Sequence, residues 1–550
     1  MKKQKTPQLD ANGYRKFGIR DKLAYAAGDF GCNMSFSLKG TVQTFWLVFM
    51  MMETGLLSAL LLVVQIWDAV NDPLIGSLID ADKRKYKMGK FKTYILIGAI
   101  GLTVAGSLMF IPAAGAAPWI KAILFVVGYV IWDACYTVAN VPYGSMLSLV
   151  TEDAGERADL STWRSIGSMI GNILTMVLLP MLIWKKVTWT GNVDDVLKQI
   201  TLPTFENDPD GSKMQQFLDG IGKDPKTGEA LKIGDTVLNP FTGSNMEILL
   251  GNRVFWIALV MGVLGLIAFL FMIKKITIRV DENTVKTNEQ TEKINIIKAF
   301  GKFFKNRPAV GATIAAMGMF LGMNSAATAT TIMFATHFGK ASLSGVVTMI
   351  GFLPMMFFIP FIKKMVTKYG KKECSVVGTL ISCAGVLLML VFPMVENKTV
   401  SMLIFVVALC IFGIGMGVYT CVSWALMSDA IDYNEWKFGT REEGTVYSLH
   451  SFFRKLAQGV GPAAVLFIMG LAFIGYDSDL GTYGQSAETA QNMCWLVAIL
   501  YAISGILQFV GLALVYNLDK KTLETMTSEL EARRAAQATE VVAEPVTAAE

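Results

Sequence analysis

The sequence has little charge and almost no histidine. Asp, Glu, Lys and Arg make up 17% of the 550 residues, and only two histidines occur. It contains no Gly-x-Ser-x-Gly, His-Glu-x-x-His or phosphate-binding Gly-Lys-Ser/Thr motif, which argues against hydrolysis and nucleotide use. The seven cysteines stand singly in apolar segments, without metal-ligand spacing or the rhythm of a disulfide framework. We therefore expect neither an enzyme nor a bound cofactor.

The sequence is rich in long apolar runs. Hydrophobic residues make up 53% of the chain, and runs of about 20 apolar residues, each long enough to cross a bilayer core, recur along it. The residues before 22 lack an apolar core, so no removable signal peptide is expected. The pattern predicts an all-α membrane protein with twelve spans, at residues 22–50, 57–80, 92–112, 118–149, 161–184, 252–273, 308–336, 341–366, 373–396, 400–429, 445–474 and 488–516.

Basic residues indicate how these spans are oriented. They cluster in the N-terminal segment and at 83–92, 274–307 and 363–372, which fall on one side of a twelve-span chain. The positive-inside rule makes this side cytoplasmic, so both termini are expected there, in a multi-pass protein of the cell (inner or plasma) membrane. Because the net charge of +5 is spread over loops instead of forming one basic face, no nucleic-acid partner is expected.

The chain divides into two halves that have similar loop sequences at corresponding places. The basic turn KYKMGKFK after the second span matches KKMVTKYGKK after the eighth, and TEDAGERADLSTWR after the fourth matches SDAIDYNEWKFGTREEG after the tenth. Parallel repeats of six helices are typical of major facilitator transporters. The predicted parts are a cytoplasmic N-terminal segment (1–21), a first half (22–273) with an external loop (about 185–251), a cytoplasmic linker (274–307), a second half (308–516) and a cytoplasmic tail (517–550). The external loop fits either a small folded cap or a disordered segment.

Ionisable residues inside the spans are the strongest functional signal, because charge is costly in hydrocarbon. Asn71 and Asp72 follow Asp68 by three and four residues, so the oxygen atoms of all three side chains share one helical face. Thr137 and Asn140 on the fourth span offer a hydroxyl and an amide oxygen, ligands that suit a hard ion such as sodium. A proton would need only a carboxylate. The alternative is structural: the two acids pair with basic residues or cap a kink before Pro73.

Further polar residues within the spans point to a substrate site. Asn33 follows Asp29 by one turn, and Lys39 lies deeper in the same span, where an unpaired ammonium would be costly. Cations at Arg164 and Lys455 can hold a substrate's hydroxyl or carboxylate groups or neutralise acids of the other half. Trp424 could stack on a sugar ring, although aromatic residues in spans more often pack or anchor at the interface.

At these residues the chain resembles the glycoside-pentoside-hexuronide:cation symporter family of the major facilitator superfamily. The resemblance extends over roughly residues 20–517. It rests on several ordered motifs: Lys22-Leu23-Ala24-Tyr25, Gly28-Asp29-Phe30-Gly31, Trp67-Asp68-Ala69-Val70-Asn71-Asp72-Pro73, Gly89-Lys90-Phe91-Lys92, Val141-Pro142-Tyr143, Glu156-Arg157 with Arg164, Asp429-Ala430-Ile431-Asp432-Tyr433, and Tyr447-Ser448 ahead of Lys455.

The resemblance implies a major facilitator fold of twelve helices in two pseudo-symmetric halves and cation-coupled sugar transport. It places Arg164 at a sugar-site arginine and Lys455 at the lysine that bridges the cation and sugar sites. Asn33 and Asn140 stand where the melibiose permease of this family has two aspartates that bind galactosyl hydroxyls. This departure argues against a galactoside and favours an anionic hexuronide, while a neutral glycoside stays open. The sodium ligands of that permease fall at Asp68, Asn71, Asp72 and Thr137.

The expected function is therefore symport of a sugar, whether glycoside, oligosaccharide or hexuronide, with a monovalent cation. Sodium is the expected cation, with the proton as the alternative, and a monomer in the bilayer is expected to suffice. Two other functions fit the same sequence. One is a carrier of a lipid-like or other amphipathic solute, and the other is a membrane sensor that binds its ligand without moving it.

Overall fold

The structure is a computed structural model, and it describes residues 14–279, 296–439 and 443–543 except Lys83, Glu152 and Asn207. It is almost entirely helical. Its elements are α1 (Ile19–Phe36), α2 (Leu38–Thr44), α3 (Thr54–Ala81), α4 (Lys90–Leu108), α5 (Pro118–Val150), α6 (Ala154–Ile183), β1 (Trp184–Lys186), α7 (Val193–Leu197), α8 (Ser212–Gly220), β2 (Glu247–Leu249), α9 (Gly251–Lys275), α10 (Ile296–Lys305), α11 (Arg307–Phe320), α12 (Ala326–Thr336), α13 (Ser344–Tyr369), α14 (Lys371–Met389), α15 (Lys398–Phe438), α16 (Glu443–Met469), α17 (Ala487–Phe509) and α18 (Lys520–Ala543).

Helices occupy every segment that the apolar runs marked. Within the described residues, eight helices are long and apolar enough to cross a bilayer: α4, α5, α6, α9, α14, α15, α16 and α17. Thr54–Asp68, Ala326–Thr336 and Ala341–Met355 are shorter apolar helices. The predicted count of twelve spans and the cytoplasmic position of both termini stay predictions.

Three of the predicted spans contain a π-helical turn. These turns are Phe45–Phe49 after α2, Leu321–Ser325 between α11 and α12, and Val510–Val515 after α17. The first predicted span is also interrupted at Ser37, between α1 and α2. Such turns are rare and often occur at functional sites, and apolar length alone does not reveal them.

The matching loops of the two halves have matching backbone geometry. Gly89 precedes α4 with φ 87° and ψ 156°, and Gly370 precedes α14 with φ 108° and ψ 157°. Only glycine adopts this conformation readily, because a β-carbon would clash there. The same turn in two similar sequences agrees with a duplicated unit.

The polar stretch at residues 184–250 folds into a small domain, which we name the insert domain. Its first strand, β1, pairs antiparallel with β2 near its end. Between the strands, a core forms around buried apolar side chains that include Val187, Phe217 and Val237. Of the two readings that the sequence left open, the structure supports the folded one.

Contacts divide the chain into two compact units. Among the described residues, unit 1 comprises those within 14–279, 327–349 and 463–493, and unit 2 comprises those within 296–326, 350–439, 443–462 and 494–543. In unit 1, α1 packs against α6 and α9, and α5 packs against α3 and α4. The contact between α1 and α6 is very close, because a β-carbon at Gly167 would lie 2.0 Å from the Ala26 carbonyl oxygen. This approach brings the Arg164 end of α6 against the Asp29 face of α1.

The insert domain is fastened to other parts of unit 1. Glu247 is buried, and its carboxylate accepts hydrogen bonds from the Ser342 backbone N–H and hydroxyl, both at 2.8 Å. The Ser244 hydroxyl donates to the His337 carbonyl oxygen at 2.6 Å. The Tyr483 hydroxyl donates to a carbonyl oxygen of the insert domain. Segments far apart in sequence thus hold the insert domain in place.

Candidate cation and substrate site

A buried amide on α3 links two polar residues of α5. Asn71 is 1% exposed, and its Nδ2 donates to Asp133 Oδ2 at 3.0 Å and to Thr137 Oγ1 at 2.9 Å. Its amide oxygen Oδ1 is buried and accepts no hydrogen bond. A buried acceptor without a donor costs about 1–3 kcal/mol. A hard cation, which prefers oxygen ligands, would remove this cost.

Asp68 precedes Asn71 by one turn of α3 and forms an ion pair with Lys39. The Lys39 Nζ lies 3.3 Å from Asp68 Oδ2, and both side chains are partly buried. The ammonium also lies over two aromatic rings, 5.7 Å from the centroid of Tyr129 and 5.8 Å from that of Phe36. The sequence grouped Lys39 with the substrate residues, whereas the structure places its ammonium against a predicted cation ligand.

Asp72, the other predicted acidic ligand, belongs to α3, but its side chain lies outside the described part of the structure. Its role stays a prediction. Among the described residues, no three His, Cys, Asp or Glu side chains gather as they do around a metal ion. The cluster instead combines the carboxylate of Asp133 with the amide of Asn71 and the hydroxyl of Thr137, and Asp68 lies one turn before Asn71 on the same helix. This mixture suits a monovalent cation better than a transition metal.

A second polar network connects α1 with α6. Asp29 is buried, and its Oδ1 accepts a hydrogen bond from Arg164 Nε at 2.9 Å. Asn33 Nδ2 donates to the Asp29 backbone oxygen at 2.8 Å and to its Oδ2 at 3.1 Å. Asn172 of α6 completes the network by donating to Asn33 Oδ1 at 3.0 Å. Two predicted substrate residues, Asn33 and Arg164, thus meet at one buried carboxylate.

Aromatic rings border this network. The Arg164 guanidinium carbon lies 5.1 Å from the centre of the Tyr143 ring, which stacks on Tyr25 at 4.8 Å. Asn140, on the same helix as Tyr143, lies with its Oδ1 3.8 Å from Cys32 Sγ. Because Cys32 adjoins Asn33 in the chain, Asn140 faces the part of α1 that carries the network.

The remaining predicted substrate residues belong to unit 2. Trp424 is 52% exposed and stacks on Tyr447, with ring centroids 6.0 Å apart. The Arg454 guanidinium carbon lies 5.2 Å from the Trp424 ring and 5.4 Å from the Phe320 ring. Lys455 follows on α16 and is exposed. An exposed indole beside a stacked cation is a surface on which a sugar ring could lie. The assignment of Trp424 and Lys455 to the substrate site stays a prediction.

Two polar residues that sequence reasoning passed over belong to these networks. Asp133 is 3% exposed and accepts the Asn71 hydrogen bond, and Asn172 contacts Asn33. Asp133 had a signal in the sequence, since it is an ionisable residue inside a span, one turn before Thr137. No such signal marked Asn172, because neutral amides are common on the polar faces of helices.

The chain is similar to known transporters over nearly its whole length. The family model described as MFS/sugar transport protein matches residues 24–520. The uncharacterized symporter YjmB of Bacillus subtilis is 27% identical over 92% of this chain and 94% of its own. The glucuronide carrier protein homolog of Escherichia coli is 25% identical over 94% of this chain and 96% of its own. The isoprimeverose transporter of Lactiplantibacillus pentosus is 23% identical over 94% and 92%.

The fold has counterparts among solved structures. The crystal structure of the nucleoside transporter NupG covers 90% of this chain and 99% of its own, with a TM-score of 0.52 and 15% identity. At that identity the likeness shows the major facilitator fold and says nothing about the substrate.

Proposed function

This chain belongs to the MFS/sugar transport protein family, and on that premise we propose that it carries a sugar together with sodium across a cell membrane by alternating access. Twelve spans in two halves, with both termini cytoplasmic and a monomer as the working unit, complete the proposal. Membership confirms the family that the sequence motifs predicted. The relatives are named as a symporter and as transporters, not as enzymes.

The observation that carries the cation part is the buried Asn71 amide oxygen without a hydrogen-bond donor. It lies in a cluster that also contains a carboxylate and a hydroxyl. A coupled proton would need only a carboxylate, whereas sodium gains from neutral oxygen ligands. The orphaned amide oxygen therefore favours sodium over the proton.

The network of Asp29, Asn33 and Arg164, with Asn140 beside it, supports the sugar part of the proposal. It presents amide donors and acceptors as well as a cation, which together suit the hydroxyl groups of a sugar. The Arg164 charge is already balanced by Asp29. The sequence argument for an unusually positive cavity is weaker for that reason, so a neutral glycoside and a hexuronide are both retained. The names of the relatives also cover both, since one is a glucuronide carrier protein homolog and another an isoprimeverose transporter.

The test is uptake of labelled sugars by proteoliposomes with and without an inward sodium gradient. We expect concentrative uptake of sugar only with the gradient. Asp68→Asn and Asp72→Asn should each abolish concentrative uptake and leave exchange of sugar across the membrane. Sodium should raise sugar affinity, and sugar should raise sodium affinity by the same factor. Sodium-independent uptake with alkalinisation of the medium would make the proton the coupled ion. Sugar binding without uptake would indicate a membrane sensor. Uptake of amphipathic solutes but not of sugars would indicate a carrier of lipid-like or other amphipathic solutes.

Substrate charge is tested separately, by comparing a hexuronide with the matching neutral hexoside. The double substitution Asn33→Asp with Asn140→Asp introduces two acids, one of them in the network that holds Arg164. An ionised aspartate only accepts hydrogen bonds and repels a carboxylate, so hexuronide affinity should fall far more than hexoside affinity. Equal losses, or no hexuronide binding by the parent protein, would identify a neutral glycoside as the substrate.

A further inference from the structure

Lys39 places a positive charge inside the proposed cation site. Its Nζ lies 3.3 Å from Asp68 Oδ2, at one of the carboxylates that the transported cation is proposed to use. Two cations that share one carboxylate repel each other, most strongly where water is scarce. The ammonium therefore has to leave Asp68 when the transported ion binds there.

An ammonium inside a membrane protein needs another anionic partner when it leaves the first. The Lys39 Nζ lies 5.7 Å from the Tyr129 ring centroid, and Asp133 follows Tyr129 by one turn on the same face of α5. Asp133 is also within electrostatic range of the ammonium. It is 3% exposed, and the Asn71 amide anchors its Oδ2. The flexible four-carbon stem of a lysine allows its charge to move between two such acids.

On this geometry, and resting on the proposed function, we propose that Lys39 is a resident counter-ion that competes with the transported cation for Asp68, and that Asp133 receives the ammonium when the cation binds. The exchange keeps the ammonium paired with a carboxylate in both states. It also makes Lys39 a determinant of cation affinity, not a ligand of the sugar.

The experiment titrates the purified full-length protein with sodium chloride at pH 7.5 and follows its thermal unfolding, with choline chloride keeping the ionic strength constant. A ligand that binds the folded state raises the unfolding temperature, so the titration gives a half-maximal sodium concentration without any sugar. We expect Lys39→Met to lower that concentration by roughly tenfold or more, because the competing charge is gone. Lys39→Arg keeps the charge and should stay near the parent. Lys121→Met, which removes an ammonium bonded to the Met50 carbonyl oxygen in the same unit, should leave the concentration unchanged.

The part assigned to Asp133 is tested by a double-mutant cycle. Asp133→Asn should raise the half-maximal sodium concentration by roughly tenfold, because the ammonium then has no second acid and stays on Asp68. In the Lys39→Met background the same substitution should have a much smaller effect. Equal effects in both backgrounds would mean that Asp133 acts only as a fixed charge, which overturns the exchange.

Three further outcomes separate this inference from the function on which it rests. If the parent responds to sodium and Lys39→Met has an unchanged half-maximal concentration, the inference is wrong and sodium coupling stands. If Lys39→Met lowers sugar affinity in uptake assays and leaves sodium affinity unchanged, Lys39 belongs to the sugar site. If the parent responds to neither sodium nor lithium, both proposals fail. Should Lys39→Met not fold, Lys39→Gln makes the same charge change with a polar side chain.

Discussion

The Asn71 amide allows the cation site to be tested on a single oxygen atom. Asn71→Ala removes the buried Oδ1 that has no donor, and it also removes the two hydrogen bonds that Nδ2 donates to Asp133 and Thr137. A ligand oxygen of this kind is worth about 1–3 kcal/mol. Because 1.4 kcal/mol corresponds to a factor of ten, sodium affinity should fall by about 5- to 150-fold. The sodium concentration that gives the half-maximal initial rate of sugar uptake should rise by the same factor.

A matched truncation separates loss of a ligand from loss of packing. Asn306 is also a fully buried asparagine, but it belongs to unit 2, where its Nδ2 donates to the Ala430 carbonyl oxygen at 2.8 Å. Asn306→Ala should lower the unfolding temperature and leave the sodium dependence of uptake at its parental value. Asn71→Ala with parental sodium affinity would refute the reasoning, because the orphaned oxygen would then have no part in cation binding.

Three further predictions concern other parts of the molecule. Glu247→Ala removes the acceptor of two hydrogen bonds from Ser342. The free energy of unfolding of the insert domain, measured by hydrogen exchange, should therefore fall by about 1–3 kcal/mol. Glu229→Ala, at an exposed glutamate of the same domain, is the control. Arg164→Lys should weaken sugar binding, measured by equilibrium dialysis. An ammonium lacks the planar fork with which a guanidinium fits a carboxylate such as that of Asp29. Unchanged sugar affinity would count against a substrate role for Arg164. Hydrogen bonds from two tyrosine hydroxyls lower the pKa of Asp82 from 3.8 to about 2. The stability that these bonds add is present above pH 3.8 and is lost as the pH falls through about 2. Infrared titration of the Asp82 carboxyl band, with Asp82→Asn as the blank, should show a midpoint well below 3.8.

The helical segments were predictable from the sequence because a bilayer imposes a length and a composition on anything that crosses it. The predicted span at 118–149 corresponds to Pro118–Val150, and that at 252–273 to Gly251–Lys275. The interruption at Ser37 was not predictable in the same way. Ser37 itself keeps helical dihedral angles, φ −65° and ψ −17°, so the length of an apolar run does not reveal an interruption of a single residue.

Side-chain partners across helices were harder to predict than the helices themselves. Lys39 and Asp68 are 29 residues apart, and Asp29 and Arg164 are 135 residues apart. One-turn spacing relates residues within a helix and carries no information about which face a neighbouring helix presents. The sequence therefore identified the polar faces, while the packing of α1 against α6 and of α3 against α5 decided which residues meet.

Lys39 and Asp133 together leave the net charge of the cation site unchanged, whereas either residue alone would alter it. The four ligands predicted from the sequence carry two negative charges, on Asp68 and Asp72. Adding one lysine and one aspartate leaves that sum unchanged, so the site keeps the charge that attracts a monovalent cation. A change at only one of the two residues alters the sum by a full charge in a poorly hydrated environment, where the energy of such an imbalance is large. Lys39→Met with Asp133→Asn together restores the sum but also removes the competing ammonium, so the sodium affinity of the double variant should stay close to that of Lys39→Met and well above that of Asp133→Asn.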